Sequence, residues 1–293
     1  MKVVLTGATG FIGSHILAEL FEHGHDVIAL VRDEDQAAAV AARGAKAAVA
    51  DLYDRAAVAS LLEDADGAIH TASPGDATTA DLDSAMADAA IDAFAGTGRP
   101  YIEISGAWVY GTNTSITEES PFHAPALVAW KEPIERRVLG ATGMRAVVIV
   151  ASTAYGDGGG AIPGALLASP RDDAGNLIMI GTGQQHWSTV HVADLADVFR
   201  RVLEDGFARG RYVVGNGVNP TVAELTEAAA VADGAPGAVP GSEEEARARF
   251  GDYFAEVLLL DQGTGAAKAR TELGWYPSHP TLTDEFRHGS YRK

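Results

Sequence analysis

The 293-residue sequence contains no cysteine, and this absence removes several kinds of site at once. A chain without thiols forms no disulfide, performs no thiolate catalysis and offers no sulfur ligand to zinc or to an iron–sulfur cluster. The nine histidines are scattered and show no paired spacing joined to carboxylates, so a metal site is not expected. The Gly-x-Ser-x-Gly motif of serine hydrolases is also missing.

Basic residues are scarce, with 22 Lys and Arg against 40 Asp and Glu, which leaves a net charge of −18. Surfaces that follow nucleic-acid phosphates or anionic lipids are rich in positive charge, so neither nucleic acid nor a membrane is expected as a partner. Long apolar runs are lacking too, and Met1 leads directly into a predicted strand without a signal-peptide pattern. We therefore expect a soluble, cytoplasmic protein with an acidic surface.

Glycine is abundant, and its most informative pattern lies at the N-terminus. An aliphatic run at residues 3–5 leads into Gly7, Gly10 and Gly13, and apolar residues at a helical spacing follow. In a strand–turn–helix of this kind the first glycine forms a tight turn, the second lets the backbone approach a pyrophosphate, and the third lets the helix pack on the strand. The free N–H groups of a helix that begins near Phe11 would face the phosphates. The spacing predicts a dinucleotide site.

Predicted strands and helices alternate over the first 150 residues. The strands are expected at 3–5, 27–31, 47–50, 67–71, 100–104 and 146–150, and the helices from Phe11 and at 55–62, 79–95 and 126–139. This alternation is typical of an α/β fold with a doubly wound parallel sheet. Residues 146–150 are continuously apolar and β-branched, as in a strand buried on both faces.

A second, smaller α/β domain is expected after residue 155, where the glycine-rich stretch from Gly156 to Gly160 ends the regular alternation of strands and helices. Residues 1–155 plus about 189–218 are assigned to the dinucleotide-binding domain, and about 156–188 plus 219–293 to a substrate domain. The later segments carry one strand candidate at 176–180 and helix candidates at 194–203, 224–232, 243–250 and 266–273. Asp194 is placed to cap the first of these helices.

The end of the second predicted strand bears on the choice of cofactor. Val31 is the last strand residue and Arg32 follows it at once. An arginine in this place suits the 2′-phosphate of NADP, whereas a carboxylate would bind the ribose hydroxyls of NAD. NADP(H) is therefore favoured. The alternative is that Asp33 or Asp35 reaches the ribose of NAD and that Arg32 is a solvated loop residue.

Two further turns lie at carboxyl ends of predicted strands, on the ligand side of an open parallel sheet. Asp51 follows the third strand and either accepts a hydrogen bond from the adenine amino group or caps the next helix; the two interpretations remain open. Small residues from Thr71 to Gly75 follow the fourth strand, and Ser73 in this turn could pass close to the cofactor.

Several short stretches carry recognisable motifs, namely Thr6-Gly-Ala-Thr-Gly-Phe-Ile-Gly13, Asp51-Leu52, His70-Thr71-Ala72, Ser105 to Gly111, His191-Val-Ala-Asp-Leu-Ala196 and Leu273-Gly274-Trp275-Tyr276-Pro277. Together they resemble the extended short-chain dehydrogenases/reductases, most closely the NAD-dependent epimerase/dehydratase branch. The resemblance covers essentially the whole chain and implies a Rossmann domain, a smaller C-terminal substrate domain and bound NAD(P). The residues it implies for cofactor binding, with those argued above, are Thr6, Gly7, Thr9, Gly10, Phe11, Ile12, Gly13, Arg32, Asp51, Leu52, Thr71, Ala72, Ser73 and Lys131.

The family also implies a catalytic trio of Ser or Thr, Tyr and Lys, with the tyrosine four residues before the lysine. Lys131 falls where the family lysine belongs, but Leu127 stands in the tyrosine position. Matching Val109-Tyr110-Gly111 to the family places its serine at Gly106, with Ser105 one residue earlier. The sequence thus resembles an atypical subgroup that retains the dinucleotide site and lacks the usual proton donor.

A replacement for that donor is expected because a hydride delivered to a carbonyl leaves an alkoxide that needs a proton. Candidates are Tyr155, His186, His191, Tyr110 and Lys131 itself. Tyr155 is preferred because it is expected at the carboxyl edge of the sheet. Tyr110 is explained more simply by packing at a turn, and His191 by a histidine whose hydrogen bonds are satisfied near a helix start. Lys131 could bind ribose without acting as an acid.

The function predicted from these features is that of an NADP(H)-preferring oxidoreductase of atypical type, acting on a small carbonyl, alcohol or imine. Ser105, Lys131 and Tyr155 are the expected catalytic residues. The alternatives are an epimerase or dehydratase that retains NAD(P), and a non-catalytic NAD(P)-binding sensor or scaffold. A small molecule is the expected partner, and a homodimer through segments 79–95 and 126–139 is possible by analogy with the family.

Overall fold

The computed structural model describes residues 1–292. Its strands are β1 (Lys2–Thr6), β2 (Asp26–Val31), β3 (Lys46–Val49), β4 (Gly67–His70), β5 (Pro100–Gly106), β6 (Asn113–Ile116), β7 (Arg145–Ala151), β8 (Thr153–Tyr155), β9 (Leu177–Ile178), β10 (Thr189–His191), β11 (Gly210–Val214), β12 (Ala238–Val239) and β13 (Gln262–Thr264). Its helices are α1 (Phe11–Glu22), α2 (Glu34–Ala41), α3 (Arg55–Glu63), α4 (Thr79–Phe94), α5 (Lys131–Leu139), α6 (Ala161–Leu167), α7 (Val192–Glu204), α8 (Val222–Asp233), α9 (Glu243–Phe250), α10 (Asp252–Leu258), α11 (Ala267–Leu273) and α12 (Leu282–His288), with a 3-10 turn at Ala107–Tyr110.

Seven strands form one parallel sheet in the order β11-β7-β5-β4-β1-β2-β3. Val3 of β1 is opposite Val27 of β2 on one side and Gly67 of β4 on the other. The chain order therefore reverses at β1, and the carboxyl ends of β1 and β4 border a switch point, the place where open α/β sheets bind ligands. The predicted doubly wound sheet is confirmed.

One face of this sheet is covered by α3, α4 and α5. Val4, Ala68 and Tyr101 from the strands pack in one cluster with Met86 and Val138 from the helices. Full burial of a large apolar side chain contributes about 2 kcal/mol each, so this layer holds the helices firmly on the strands. All seven residues of β7 are buried, as the continuous apolar run predicts.

Helix α5 is shorter than its prediction of 126–139. It begins at Lys131, and Pro133 lies in its first turn. A proline lacks an N–H and clashes with the carbonyl four residues earlier, so it is tolerated in a first turn and not in a helix interior. Residues 126–130 accordingly form turns, and Lys131 stands at the very start of the helix.

The chain forms two compact units. The first comprises Met1–Ser105, Trp130–Ile149 and Ala196–Tyr212, and the second comprises Gly106–Ala129, Val150–Leu195 and Val213–Lys293. The predicted division into a dinucleotide-binding and a substrate domain stays a prediction, because it concerns what each part binds. Within residues 1–292 no helix is long and apolar enough to cross a membrane.

The second unit has its own apolar core, built around Tyr155, Trp187 and Phe286. Short parallel pairs, β8 with β10, β9 with β12 and β6 with β13, replace an extended sheet. The sequence patterns did not predict β6, β8, β12, β13, α6, α10 or α12, and the strand candidate at 176–180 is reduced to Leu177–Ile178. These elements are two to seven residues long, too short to display a hydrophobic period.

Candidate functional site

The glycine loop between β1 and α1 is built so closely that side chains are excluded. Gly7 has φ +78°, and a Cβ on it would lie 2.7 Å from backbone atoms of Thr71 and Ala72. A Cβ on Gly13 would lie 2.0 Å from the Gly7 carbonyl oxygen. Gly10 closes the turn, because its N–H donates to the Gly7 carbonyl at 2.9 Å. The first and third glycines are therefore required by the backbone itself.

The loop delivers the start of α1 to the switch point. Helix α1 begins at Phe11, and its N-cap is Gly10, which has no side chain to accept from the first-turn N–H groups. Thr9 and Gly10 are exposed, whereas Gly13 is buried against the loop. Open N–H groups and the positive end of a helix dipole suit a pyrophosphate. The loop therefore fits the dinucleotide that the spacing predicts.

Arg32 follows β2 as predicted and is open to solvent. Its side chain is 77% exposed, and its Nε is 3.2 Å from Asp33 Oδ2. Asp33 is the N-cap of α2 and accepts from the backbone N–H of Gln36 at 2.8 Å. The carboxylate that competes for the ribose is thus already engaged by a helix end and by Arg32, while Asp35 lies in the first turn of α2.

Asp51 is not a helix cap, so this part of the prediction is wrong. Its Oδ1 accepts from the N–H of Tyr53 at 2.9 Å in a local turn. Asp54 caps α3 instead, accepting from the N–H of Ala57 at 3.1 Å. The chain runs through one extra turn after β3 before the helix starts, which moves the cap three residues on. Asp51 is exposed beside half-buried Leu52, and its contact with adenine stays a prediction.

Thr6 fixes the turn after β4 to the end of β1. Its hydroxyl pairs with His70 Nδ1 at 2.7 Å and accepts from the N–H of Ala72 at 3.3 Å. In return the Thr71 hydroxyl donates to the Thr6 carbonyl at 2.8 Å. Thr6 is fully buried, so its side chain shapes the cofactor loop from beneath, and Ser73 at the far end of the turn is exposed.

Lys131 is held by the sheet and by α4. Its ammonium forms a short ion pair with Asp83 and donates to the Ile104 carbonyl at 2.8 Å. Oδ1 of Asp83 is also hydrogen-bonded to His70 Nε2 at 3.2 Å. Burial acts to raise the pKa of Asp83, but the bonds and charges of His70 and Lys131 outweigh it and lower that pKa. An unbroken chain of polar contacts thus runs from Thr6 to Lys131.

Three side chains of β5, those of Tyr101, Glu103 and Ser105, have buried polar atoms without a hydrogen-bond partner among the described residues. The Ser105 hydroxyl is buried, with 4% exposure, and no group among the described residues bonds to it. Both carboxyl oxygens of Glu103 are likewise buried and unbonded. Burial raises the pKa of Glu103 to about 8. The charge of Lys131 lowers this pKa, and the charges of Asp83 and Glu135 raise it further. A buried hydroxyl without a partner is suited to a ligand oxygen.

Glu103 has no counterpart in the site predicted from sequence. Its signal was a single glutamate inside the otherwise apolar strand segment Tyr-Ile-Glu-Ile. Glutamate is almost never fully buried unless it is paired, so a glutamate at a strand position that must be buried is a candidate for a functional acid. Asp83 could not be found in this way, because it lies on a helix with many other acids.

Replacing Glu103 by Gln is expected to flatten the dependence of stability on pH. Between its ordinary value of 4.5 and its folded value of about 8 the folded protein holds a proton that the unfolded chain has lost. The free energy of unfolding therefore falls as pH rises through this window, by up to about 1.4 kcal/mol per pH unit. Urea unfolding of the wild type and Glu103→Gln from pH 5 to 8 measures both slopes. Parallel slopes would contradict a buried, protonated Glu103.

Tyr155 does not lie at the edge of the main sheet, so its predicted position is wrong. Strand β7 ends at Ala151, and Tyr155 belongs to β8, which pairs with β10. Its hydroxyl donates to the Pro280 carbonyl at 2.7 Å and accepts from Asn216 at 3.2 Å. Burial raises the pKa of Tyr155 well above its usual value. With its proton engaged inside the second unit, Tyr155 is explained by packing.

The other proton-donor candidates of the second unit are also engaged in local structure. The ring of Tyr110 is buried and packs against Phe122 at 5.3 Å between centroids. His191 is buried, and its ring stacks on that of His279 with 4.3 Å between the centroids. Burial lowers the pKa of His191, and the nearby His279 lowers it further. His186 Nδ1 is 2.8 Å from Asp261 Oδ1.

Asp194, expected as a helix cap, instead anchors the C-terminal segment. It lies in the first turn of α7 and accepts from the N–H groups of Ser278 and His279 at 3.0 and 3.2 Å. Its Oδ1 is also 2.8 Å from His279 Nδ1. The carboxylate therefore serves a distant part of the chain, which the local sequence could not reveal. No group of three or more potential metal ligands occurs within residues 1–292.

A glycine loop, an open helix N-terminus and a switch point in a parallel sheet define a dinucleotide-binding α/β protein. The chain belongs to the NAD dependent epimerase/dehydratase family, whose model matches residues 3–215. The resemblance seen in the motifs is thereby confirmed. The cofactor class that this family defines is a nicotinamide dinucleotide.

Three similar proteins extend the comparison over the whole chain. An uncharacterized protein of Schizosaccharomyces pombe is 30% identical over 300 residues, covering 99% of this chain and 100% of that protein. The 3-diazoavenalumate denitrifying reductase of a Streptomyces species is 27% identical, covering 97% and 98%. The crystal structure of human epimerase family protein SDR39U1 (isoform 2) with NADPH has a TM-score of 0.77 and 20% identity, covering 99% of both chains.

Proposed function

We propose that this protein is an NADP(H)-preferring oxidoreductase that acts on a small carbonyl, alcohol or imine without the tyrosine its family uses. Family membership supports the cofactor class, and a full-length relative is named a reductase. The observation that carries the proposal is the pairing of a fixed lysine with an unbonded serine: Lys131 donates to the carbonyl of the residue that precedes Ser105.

Ser105 and Lys131 have distinct roles in this proposal. The buried Ser105 hydroxyl has its full hydrogen-bonding capacity open for the substrate oxygen or nitrogen. The Lys131 ammonium has three protons; Asp83 and the Ile104 carbonyl take two, and one remains for the nicotinamide ribose or the substrate. The bound cofactor supplies or accepts the hydride. Leu127, in the turn before α5, offers no proton.

An imine or a related nitrogen substrate fits the missing tyrosine particularly well. An iminium already carries its proton before the hydride arrives, so a general acid is dispensable. A carbonyl substrate would need Lys131 or another group to protonate the alkoxide. Carbonyl and imine compounds of similar shape should therefore differ in their rates, with the imine faster, when the purified protein is assayed by NADPH absorbance.

The preference for NADPH should depend on Arg32. Arg32→Ala is expected to weaken NADPH binding about tenfold, because one charge-assisted contact with the 2′-phosphate is lost, and to leave NADH binding unchanged. Calorimetric titration of the cofactor-free protein with both dinucleotides measures this. Arg43→Ala provides a basic-residue control beyond the C-terminal end of α2. Equal binding of NADH and NADPH to the wild type would instead favour Asp33 or Asp35 as the residue that contacts the ribose.

The family name keeps an epimerase or dehydratase as the second candidate. Such an enzyme returns the hydride within each turnover and retains its dinucleotide. Nicotinamide absorbance that persists in the protein through gel filtration would favour this candidate, whereas freely exchanging cofactor favours a reductase. Cofactor binding without any substrate-dependent change at the nicotinamide would indicate a sensor or scaffold.

A further inference from the structure

The strand that carries Ser105 also carries a second group aimed at the same side of the sheet. Side chains two apart on a strand share a face, so Glu103 lies on the face of Ser105, about 7 Å along β5. Lys131 bonds to the carbonyl of Ile104, the residue between them. Glu103 and Ser105 are thus the two neighbours of the residue whose carbonyl binds the ammonium.

The surroundings of Glu103 leave its carboxyl without compensation. It is fully buried, and neither oxygen has a hydrogen-bond partner among the described residues. Charged and titratable groups that act on it come from α4, α5 and β5 itself; they are Asp83, Lys131, Glu135, Arg137 and Tyr101. Asp83 already neutralises Lys131, Arg211 pairs with Glu135 at 2.8 Å, and Arg137 pairs with Asp88 at 3.1 Å. No full positive charge is left over for Glu103, which favours its neutral form.

We propose that Glu103 is the proton store of this site: it keeps its proton while the bound nicotinamide is reduced and releases it when the ring is oxidised and positively charged. This rests on the proposed function, since it requires a nicotinamide dinucleotide in the first unit. The physical basis is charge balance. A neutral ring beside a neutral acid, and a positive ring beside a carboxylate, are the two combinations without net charge in a buried setting.

The proton that Glu103 releases passes to solvent. The Glu103 O–H bond breaks with its electron pair left on the carboxylate, which balances the positive charge of the oxidised ring, and Glu103 regains a proton from solvent when a reduced cofactor is bound. Its carboxyl oxygens have no hydrogen bond to Lys131, so Glu103 acts on the site through charge. It does not touch the substrate and is a positioning residue.

The test measures protons released on cofactor binding, without any substrate. The cofactor-free wild-type protein is titrated calorimetrically with NADPH and with NADP⁺. Each titration is made in phosphate and in Tris buffer, whose ionisation enthalpies differ. The 2′-phosphate is common to both dinucleotides, so the difference between them reports the ring charge. NADP⁺ is expected to release about half a proton more than NADPH near pH 8, and the difference should vanish below about pH 6.

Two variants assign the effect. Glu103→Gln should abolish the difference in proton release, and Glu132→Gln, a glutamate on α5 that is paired with Arg136 at 2.6 Å, should preserve it. A difference that persists in Glu103→Gln overturns the assignment. If that variant does not fold, the pH series of the wild type decides, because a flat series overturns the proposal by itself.

The outcomes also separate this inference from the proposed function. If both dinucleotides bind with equal proton release, Glu103 is not a proton store, and the oxidoreductase proposal stands. If neither NADP(H) nor NAD(H) binds, both proposals fail. If NAD⁺ and NADH bind more tightly than the phosphorylated pair, the same comparison is made with them, and the same difference of about half a proton is expected.

Discussion

Lys131→Met is expected to lower the free energy of unfolding by about 3 kcal/mol, because it leaves the Asp83 carboxylate buried without its cation. Asp83 is 2% exposed and Lys131 is 12% exposed, so water replaces little of the lost interaction. His70 is the partner that remains, at 3.2 Å. Urea unfolding at pH 7 measures the loss, and circular dichroism confirms that the variant is folded before unfolding begins.

The matched control for this prediction is another lysine–aspartate pair of the first unit. Lys46 is 2.8 Å from Asp26, but the two side chains are 68% and 52% exposed. Exposed pairs contribute about 0.5 kcal/mol or less, so Lys46→Met should barely change stability. Equal losses in the two variants would mean that burial does not strengthen the Lys131 pair.

The double variant Lys131→Met/Asp83→Asn separates the pair from its parts. Each single change leaves one buried charge without its partner, whereas the double change removes both charges. The double variant should therefore lose about 1 to 3 kcal/mol less stability than the sum of the two single variants. Strict additivity would exclude direct coupling between the two side chains.

At acid pH the wild type and Lys131→Met should differ less in their free energies of unfolding. The pKa of Asp83 is lowered from its ordinary 3.8 in the folded protein. Its contribution to stability is therefore complete above that value and is lost as pH falls through the folded pKa. The same unfolding measurements repeated at about pH 3 should show a smaller difference between the two proteins.

The parts of this molecule that could be predicted from sequence are those in which the determining residues are neighbours. The glycine loop, the sheet and the position of Arg32 after β2 all follow from local spacing and apolar period, and the structure has them as expected. The motif around Lys131 predicts its role, whereas its place at the start of α5 follows from Pro133, which fits only the first turn of a helix.

The rest depends on contacts between distant residues. Asp83 and Lys131 are 48 positions apart, and no local pattern distinguishes Asp83 from the other acids of its Ala-rich helix. The position of Tyr155 does not follow from the apolar pattern, because one apolar stretch contains two strands. Strand β7 ends at Ala151, and the N–H of Ser152 still bonds to Val214. The chain then enters β8 in another sheet.

Gly13→Ala is expected to destabilise the protein by about 3 kcal/mol and to weaken NADPH binding by about a hundredfold or more. The new methyl would lie 2.0 Å from the Gly7 carbonyl oxygen and 2.9 Å from Thr71 Oγ1. One of these neighbours is backbone, so α1 must move away from β1 and carry its first-turn N–H groups out of place. Urea unfolding and calorimetric NADPH titration measure the two effects.

Gly10→Ala distinguishes a glycine needed by the ligand from one needed by the fold. A Cβ there would meet the Gly7 carbonyl oxygen at 3.3 Å, and the backbone φ of −80° is open to alanine. Stability should change by about 0.5 kcal/mol or less, while NADPH binding weakens because the methyl occupies the approach to the pyrophosphate. Gly164→Ala, in α6 with open space around it, should leave NADPH binding unchanged and raise the free energy of unfolding by up to about 1 kcal/mol. Unaltered NADPH affinity in Gly10→Ala would show that the phosphates do not approach the loop at this residue.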